Sequence, residues 1–322
     1  MNRRSWLVQF MVLAFVAASP AVMAQNFPNK PLTLVVPFAP GGNLDVVARI
    51  LAPALERSLG HSVIVDNRAG AGGILGASYV ARADANGYTL LVTTPNAIVV
   101  LPKMNKTPYK LENFQAVGLA ATTALVVVVK ASSPFKDIAS LLAFARANPG
   151  KVAAGHAGPG TTNHMALMEF EEAANVKFNT VPYKGSAPAL VDLIGGQTDI
   201  VVDQLTGSAS YIQAGTLRAL AVMSRDRDSA LPAIATLRES GLKDFEAMTS
   251  TGLLVPAGTP PAVVDTLNRA LRQALADERV VARLLAVGGV AHASSPREFS
   301  QMLQSEDGRA QILANAGKLK AD

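Results

Sequence analysis

Short apolar runs alternate along this chain with glycine-rich loops and amphipathic stretches. PLTLVVP leads to GGNLD and a helix, SVIVDN to RAGAGG and a helix, and KVAAG to HAGPGTTN and a helix. Nearly unbroken runs of Val, Leu and Ile belong to strands buried on both faces. Their alternation with helices predicts parallel sheets in an α/β fold. Such sheets bind ligands at the carboxyl ends of their strands, which is where the glycine loops fall.

Within the first helical stretch, Leu44, Val47, Leu51 and Leu55 recur at three and four to make one apolar stripe, with Asn43 as N-cap. Pro53 falls inside this pattern and predicts a bend, because an interior proline removes a hydrogen bond at a cost of about 3 kcal/mol. Further on, Ser186 caps a helix from Ala187 to Ile194, and Thr259 caps one whose apolar positions are Val263, Leu267, Leu271 and Leu275. Two apolar runs lack the loop-then-helix role: ALVVVVKASSPF at 124–135 and TSTGLLVPAG at 249–258. They bracket a middle segment with its own strands and helices, as in a chain that leaves one lobe, builds another and returns. The expected division is residues 25–126 plus 249–322 in lobe 1 and 127–248 in lobe 2, with the two crossing strands as hinge and a cleft between the lobes.

Composition narrows the classes. The 322 residues, 49% apolar, suffice for one large or two medium cores. Only 16% are charged and 5% aromatic, which argues against disorder, a coiled coil and a stacking platform for single-stranded nucleic acid. No Lys/Arg block suggests a nucleic-acid partner. The absence of cysteine excludes disulfides, thiolate metal sites, a cysteine nucleophile and a lipid-anchored lipoprotein. At the N-terminus, Arg3 and Arg4 precede an apolar run from Trp6 to Ala18, a breaking Pro20 and small residues up to Ala24. This is the pattern of a secretory signal peptide over residues 1–24, with an apolar run too short for a membrane span. Its removal takes away two arginines and no acid, so the net charge falls from +5 to +3. Mild basicity suits an anionic ligand but selects none.

The first turn of a helix leaves backbone N–H groups unpaired, at the positive end of the aligned peptide dipoles. PFAPGGNLD places Gly41 and Gly42 at such a terminus, followed by Asn43 and Asp45, with Phe38 and Pro40 able to wall the site. A carboxylate held by main-chain donors is one reading, and a tight strand-to-helix turn is the other. Phosphate fits less well, since neither GxGxxG nor GxxxxGK[ST] is present at this loop. In RAGAGG, Gly70, Ala71 and Gly72 offer a second nest of N–H groups, but the glycine that would complete a dinucleotide fingerprint falls one place late, at Gly76. Arg68 beside that loop pairs either with Asp66 or with a ligand carboxylate. HAGPGTTNH supplies Gly158, Gly160, Thr161 and Thr162, the hydroxyls serving as helix caps or as ligand donors. VPYKGS adds Tyr183 as a wall with a polar tip and Gly185 at another helix start, and Asp203 is a loop cap or an acceptor for a ligand or a water. One helix terminus contributes about 0.3–1 kcal/mol, up to about 2 when partly buried, whereas micromolar binding needs about 8, so several loops must converge.

Enzyme signals are weak. His61, His156, His164 and His292 form no metal-ligand spacing, no GxSxG elbow is present, and Glu171 and Glu172 read as a solvated helix face. No metal or cofactor is expected.

The segments VPFAPGGNLDVVAR, VIVDNRAGAGGILGASYVARADANGYTLL, VPYKGSAPALVDLIGGQTDI, LRALAV and GLLVPAGTPPAVVDTLN follow in an order that resembles the extracytoplasmic receptors of tripartite tricarboxylate transporters, the Bug receptors. The resemblance covers almost all of the chain after the signal sequence. It implies a two-domain periplasmic binding-protein fold of type II, and a monomer that captures a small carboxylate between its domains and delivers it to membrane carrier subunits. Some members of the family serve instead as sensors, and a secreted α/β enzyme acting on a small anion is the alternative from another class. This chain departs from the family pattern at Ala69, where proline is usual, and at Asn179, where histidine is frequent. The second departure bears on ligand choice, as do TTPNAIVV at 93–100 and the stretch around Asp203.

Overall fold

The computed structural model describes residues 27–317 and 319; the expected signal peptide at 1–24 lies outside the described residues. The chain runs β1 (Leu32–Val36), α1 (Asn43–Leu59), β2 (Val63–Asn67), α2 (Ile74–Ala81), β3 (Thr89–Thr93), α3 (Pro95–Val99), α4 (Leu101–Met104) and β4 (Phe114–Lys130). It continues through α5 (Ile138–Ala147), β5 (Ala153–His156), α6 (Thr162–Ala174), β6 (Asn179–Pro182), α7 (Ser186–Gly195), β7 (Ile200–Gln204), α8 (Leu205–Gln213) and β8 (Leu217–Val222). The last elements are β9 (Met248–Pro256), α9 (Pro261–Ala276), α10 (Glu278–Leu285), β10 (Gly289–Ala291) and α11 (Pro296–Asn315).

The strands form one path in the order β2-β1-β3-β9-β4-β7-β5-β6, with β8 and β10 also paired to β4. Pairing is parallel at both ends, β2-β1-β3 and β7-β5-β6, as the alternating pattern requires. It is antiparallel in the centre, because β4 carries the chain out of the first half of the sheet and β9 brings it back. β4 is longer than the run that marks it in the sequence. From Phe114 to Ala124 it pairs with β9, and from Leu125 onward with β7 and β8, so this one strand belongs to both halves. At the passage, the Leu125 amide donates to Ala247 O at 3.2 Å, and the Ala247 amide to Met223 O at 2.8 Å.

The valine run in β4 follows from this position. Leu125, Val127 and Val129 enter one core layer, Val126 and Val128 the opposite one, and all are fully buried because helices cover both faces. In α1 the predicted stripe of Leu44, Val47, Leu51 and Leu55 is buried, and Ile50, Ala52 and Ala54 are buried as well. The burial is wider than one stripe because α1 packs against α9 as well as against the sheet. Pro53 lies on the exposed side of α1, and the helix runs on through it.

Three predicted caps are corrected. Gly42, in extended conformation, caps α1, and Asn43 is its first helical residue. Gly185 precedes α7, with Ser186 inside it, and Thr259 turns back to donate to Pro256 O at 2.8 Å while the helix starts two residues later. In α9 the buried line begins at Val264 rather than Val263. Glu171 departs from the solvated face read from its sequence: it is buried and accepts from the Phe178 amide at 2.6 Å, leaving only Glu172 exposed. Among the described residues no helix is long and apolar enough to cross a membrane.

Candidate functional site

Three helices begin at one cavity where the two halves of the sheet meet. It is lined by Phe38, Ala39, Gly42, Asn43, Leu44 and Asp45 from the β1–α1 turn and by Thr94 after β3. The far side brings Ala157, Thr161, Thr162 and Asn163 from the β5–α6 turn, Ser186 at the start of α7 and Gln204 at the end of β7. Each contributing loop follows the carboxyl end of a strand, where sequence reasoning placed the site. First-turn amides of α1, α6 and α7 have no carbonyl one turn back to bond, and apart from the His164 amide, which donates to the Thr161 hydroxyl, they are donors available to an anion. No Lys or Arg lines the cavity.

The cavity is small, with about 30 Å³ of water-accessible space, enough for about two waters. The two halves touch at several points across it. Thr206 Oγ1 donates to Asn43 Oδ1 at 2.5 Å, and on its own side of the seam Asn43 Nδ2 donates to Thr251 Oγ1 at 3.3 Å. Thr162 and Thr249 hydroxyls lie 3.3 Å apart. A Cβ on Gly72 would come 3.2 Å from Pro159 O, so the RAGAGG and HAGPG loops meet at the rim with only backbone between them. Anything larger than a few waters fits only if the halves part.

Of the residues singled out from the sequence, Phe38, Gly42, Asn43, Asp45, Thr161 and Thr162 line this cavity. Pro40, Gly41, Gly70, Ala71, Gly72, Gly158, Gly160, Tyr183, Gly185 and Asp203 stand around it rather than in its lining. Several of these have their donors engaged within the chain. The Gly41 amide donates to Asp45 Oδ2 at 2.9 Å, so the nest offered to an external carboxylate is filled by an internal one. The Gly158 and Gly160 amides donate to Nδ1 of His156 and His164, both at 3.2 Å, and these two buried rings stack with centroids 4.5 Å apart. Arg68 pairs with Asp66 at 2.7 Å and lies over the Tyr79 ring. The Tyr183 hydroxyl donates to Asp192 Oδ2 at 2.9 Å; burial, reinforced by that carboxylate, pushes the phenol up to about 12. Thr161 acts as a cap, accepting from the His164 amide and donating to Gly158 O at 2.6 Å. Asn179 is exposed at the start of edge strand β6 and is not among the lining residues, which removes the basis for giving it a part in ligand choice. Among the described residues no group of three His, Asp or Glu is placed to hold a metal ion.

Asp45 organises the first loop. Burial works to raise its carboxyl, but hydrogen bonds from Arg49, the Gly41 amide and Asn67 outweigh it and hold the group below the usual carboxylate range. Asn67 Nδ2 also donates to Phe38 O at 3.1 Å, tying the loop to the end of β2. Replacing Asp45 with Ala leaves these donors without an acceptor and is expected to lower stability by about 1–3 kcal/mol, read by chemical denaturation. An unchanged midpoint and slope would show that the carboxylate is dispensable.

Sequence reasoning missed Asn163 and Gln204, which link the cavity floor. Asn163 Nδ2 donates to Val202 O and Asp203 Oδ1, both at 3.1 Å, and Gln204 Nε2 donates to Asn163 Oδ1 at 2.9 Å. Ser186 was noticed only as a cap. The available signal was position: each of the three sits at a strand end or in the first turn of a helix.

A family model described as "Tripartite tricarboxylate transporter family receptor" matches residues 47–318. BugT of Bordetella pertussis is 36% identical, over 97% of this chain and 96% of its own length. Two solved structures from Rhodopseudomonas palustris share the fold. MatC (Rpa3494) with bound malate is 30% identical with a TM-score of 0.83, over 89% of this chain and 100% of that one. Rpa4515 with adipate is 32% identical with a TM-score of 0.86, over 92% and 100%. The family model spans most of the chain and BugT aligns with nearly all of it, and on that ground the chain belongs to the tripartite tricarboxylate transporter receptor family.

Proposed function

We propose that this protein is a periplasmic receptor, not an enzyme, that captures a small carboxylate between two lobes and hands it to the membrane carrier of a tripartite tricarboxylate-type transporter. The lobes are residues 25–126 plus 249–322 and 127–248, and the paired strands β4 and β9 act as the hinge. The observation that carries this reading is the convergence of three helix N-termini on one small cavity lined by no cationic side chain. Main-chain donors hold the acid firmly enough to capture it, while the lack of a buried arginine leaves it free to depart when the lobes open. The malate and adipate in the R. palustris neighbours support a dicarboxylate as ligand.

Calorimetry with malate, adipate, citrate, aspartate and benzoate is expected to find at least one acid binding at about micromolar affinity or tighter, roughly 8 kcal/mol. Absence of binding across that panel would sink the reading. Turnover of a bound acid would move the protein to the enzyme class.

A further inference from the structure

Asp203, next to last in the buried strand β7, has one carboxylate oxygen unprovided for. The residue is fully buried. Its Oδ1 accepts from Asn163 Nδ2 at 3.1 Å, while no hydrogen bond of standard geometry reaches Oδ2. Oδ2 faces Gly207 in the first turn of α8: a Cβ there would lie 2.7 Å from Oδ2 and 3.5 Å from the Asn43 amide nitrogen. The open oxygen thus stands next to the seam between the halves, toward the N-terminus of α1. Of the residues around it, Asn43, Asn163, Ser186 and Gln204 also line the ligand cavity.

The elements packed around β7 bring no partner charge to this oxygen. Asp45 on α1 is tied to Arg49 at 2.9 Å, and Asp192 on α7 accepts from Tyr183. His164 on α6 and His156 at the end of β5 hold the loop amides described above. Glu169, Glu171 and Glu172 lie further along α6, and Lys130 is at the far end of β4, four residues beyond the Val126 that pairs with Asp203. Burial pushes the Asp203 carboxyl up to about 6, although the nearby polar groups of Ser186, the Gln204 amide, Asn163 and Ser208 pull the other way. A ligand carboxylate held at the start of α1 adds a second like charge in a site that excludes water, and like charges so placed do not both stay ionised.

We infer that Asp203 takes up one proton from solvent when an anionic acid is closed into the cleft, and returns it when the cleft opens, so that capture of the acid is coupled to a proton. This rests on the carboxylate-receptor reading. Its physical content is that the closed complex holds a neutral Asp203, which removes the repulsion that the ligand would meet.

The test uses malate and adipate as probes, titrated by calorimetry from about pH 5 to about pH 8 in buffers of different ionisation enthalpy. The expected result for whichever acid binds is uptake of close to one proton per acid above about pH 6, with Kd rising about tenfold per pH unit there. Asp203→Asn is expected to bind with no such slope and no proton uptake. Wild-type binding without proton uptake, or an equal slope in Asp203→Asn, overturns the inference while leaving the receptor reading standing. Infrared titration of the ligand-free protein supplies an arm independent of any ligand. A protonated carboxyl titrating near pH 6 in the wild type and missing from Asp203→Asn supports the assignment, and its absence from the wild type overturns it. If no acid of the wider panel binds at any pH, the receptor reading fails and the coupling falls with it.

Discussion

Gly42→Leu is expected to weaken acid binding by about a hundredfold or more while Gly42→Ala stays within about tenfold of the wild type. Gly42 has φ −84° and ψ 173°, a conformation open to any residue, so the effect does not come from backbone strain. A Cβ at this position would meet Ser186 Cβ at 3.6 Å and the Ala187 amide nitrogen at 4.0 Å, across the seam between the halves. Alanine therefore fits in ordinary contact, whereas a leucine must push α7 away and hold the cleft ajar. Two of the three helix termini at the cavity, those of α6 and α7, come from the side that would be displaced. At up to about 2 kcal/mol each, their loss amounts to as much as almost three orders of magnitude in Kd. The fold should tolerate the change, since replacing glycine by a poor cap costs about 1 kcal/mol. Calorimetry with the tightest acid of the panel, alongside a thermal melt, checks both halves of this prediction. A leucine variant that binds like the wild type would show that the loop does not close on the ligand. Gly41 is a poorer probe: its φ of +91° makes any side chain there strained, so lost binding and a damaged fold would be confounded.

The second large effect is on stability. With its folded-state carboxyl raised from 3.8 to about 6, Asp203 binds more protons in the folded than in the unfolded chain between those two values. Stability therefore falls as pH rises through that window, and the loss is complete above about pH 6. Asp203→Asn removes the titration. The stability of the variant relative to the wild type is expected to increase by roughly 3 kcal/mol from about pH 4 to about pH 7, and to be flat on either side. Urea denaturation of both proteins across that range reads the difference, in which the contributions of all other carboxylates cancel. A difference that does not change with pH would place Asp203 in a normal, solvated environment.

The strand-and-helix grammar of this protein was open to reading because it is local. Alternating apolar runs and glycine loops report the parallel strands at both ends of the sheet, and the spacing of Leu44, Val47, Leu51 and Leu55 reports the buried face of α1. Caps were less legible. Asn43 and Ser186 have the chemistry of N-caps, yet each stands one residue inside its helix, because its side chain is engaged across the seam or on the cavity floor. The antiparallel centre was not readable either, since β4 looks like any other apolar run until its partners on both sides are known.

For the candidate site, the sequence marked the β1–α1, β5–α6 and β6–α7 loops that line the cavity, and also RAGAGG, which does not line it, because glycine before a polar first turn signals a helix N-terminus from neighbouring residues alone. Only the tertiary structure decided which donors remain for a ligand. Gly41 and Gly42 look equivalent in PFAPGGNLD, but the Gly41 amide is held by Asp45 one turn later, while Gly42 lies on the seam opposite Ser186. Asp203, one acid among many in the chain, becomes exceptional because three helices and the passage of β4 take all water from it and, among the described residues, bring it no ion pair in return. Hydrogen-bond partnership and burial depend on residues far apart in sequence, so the fold had to bring those residues together before the site could be defined.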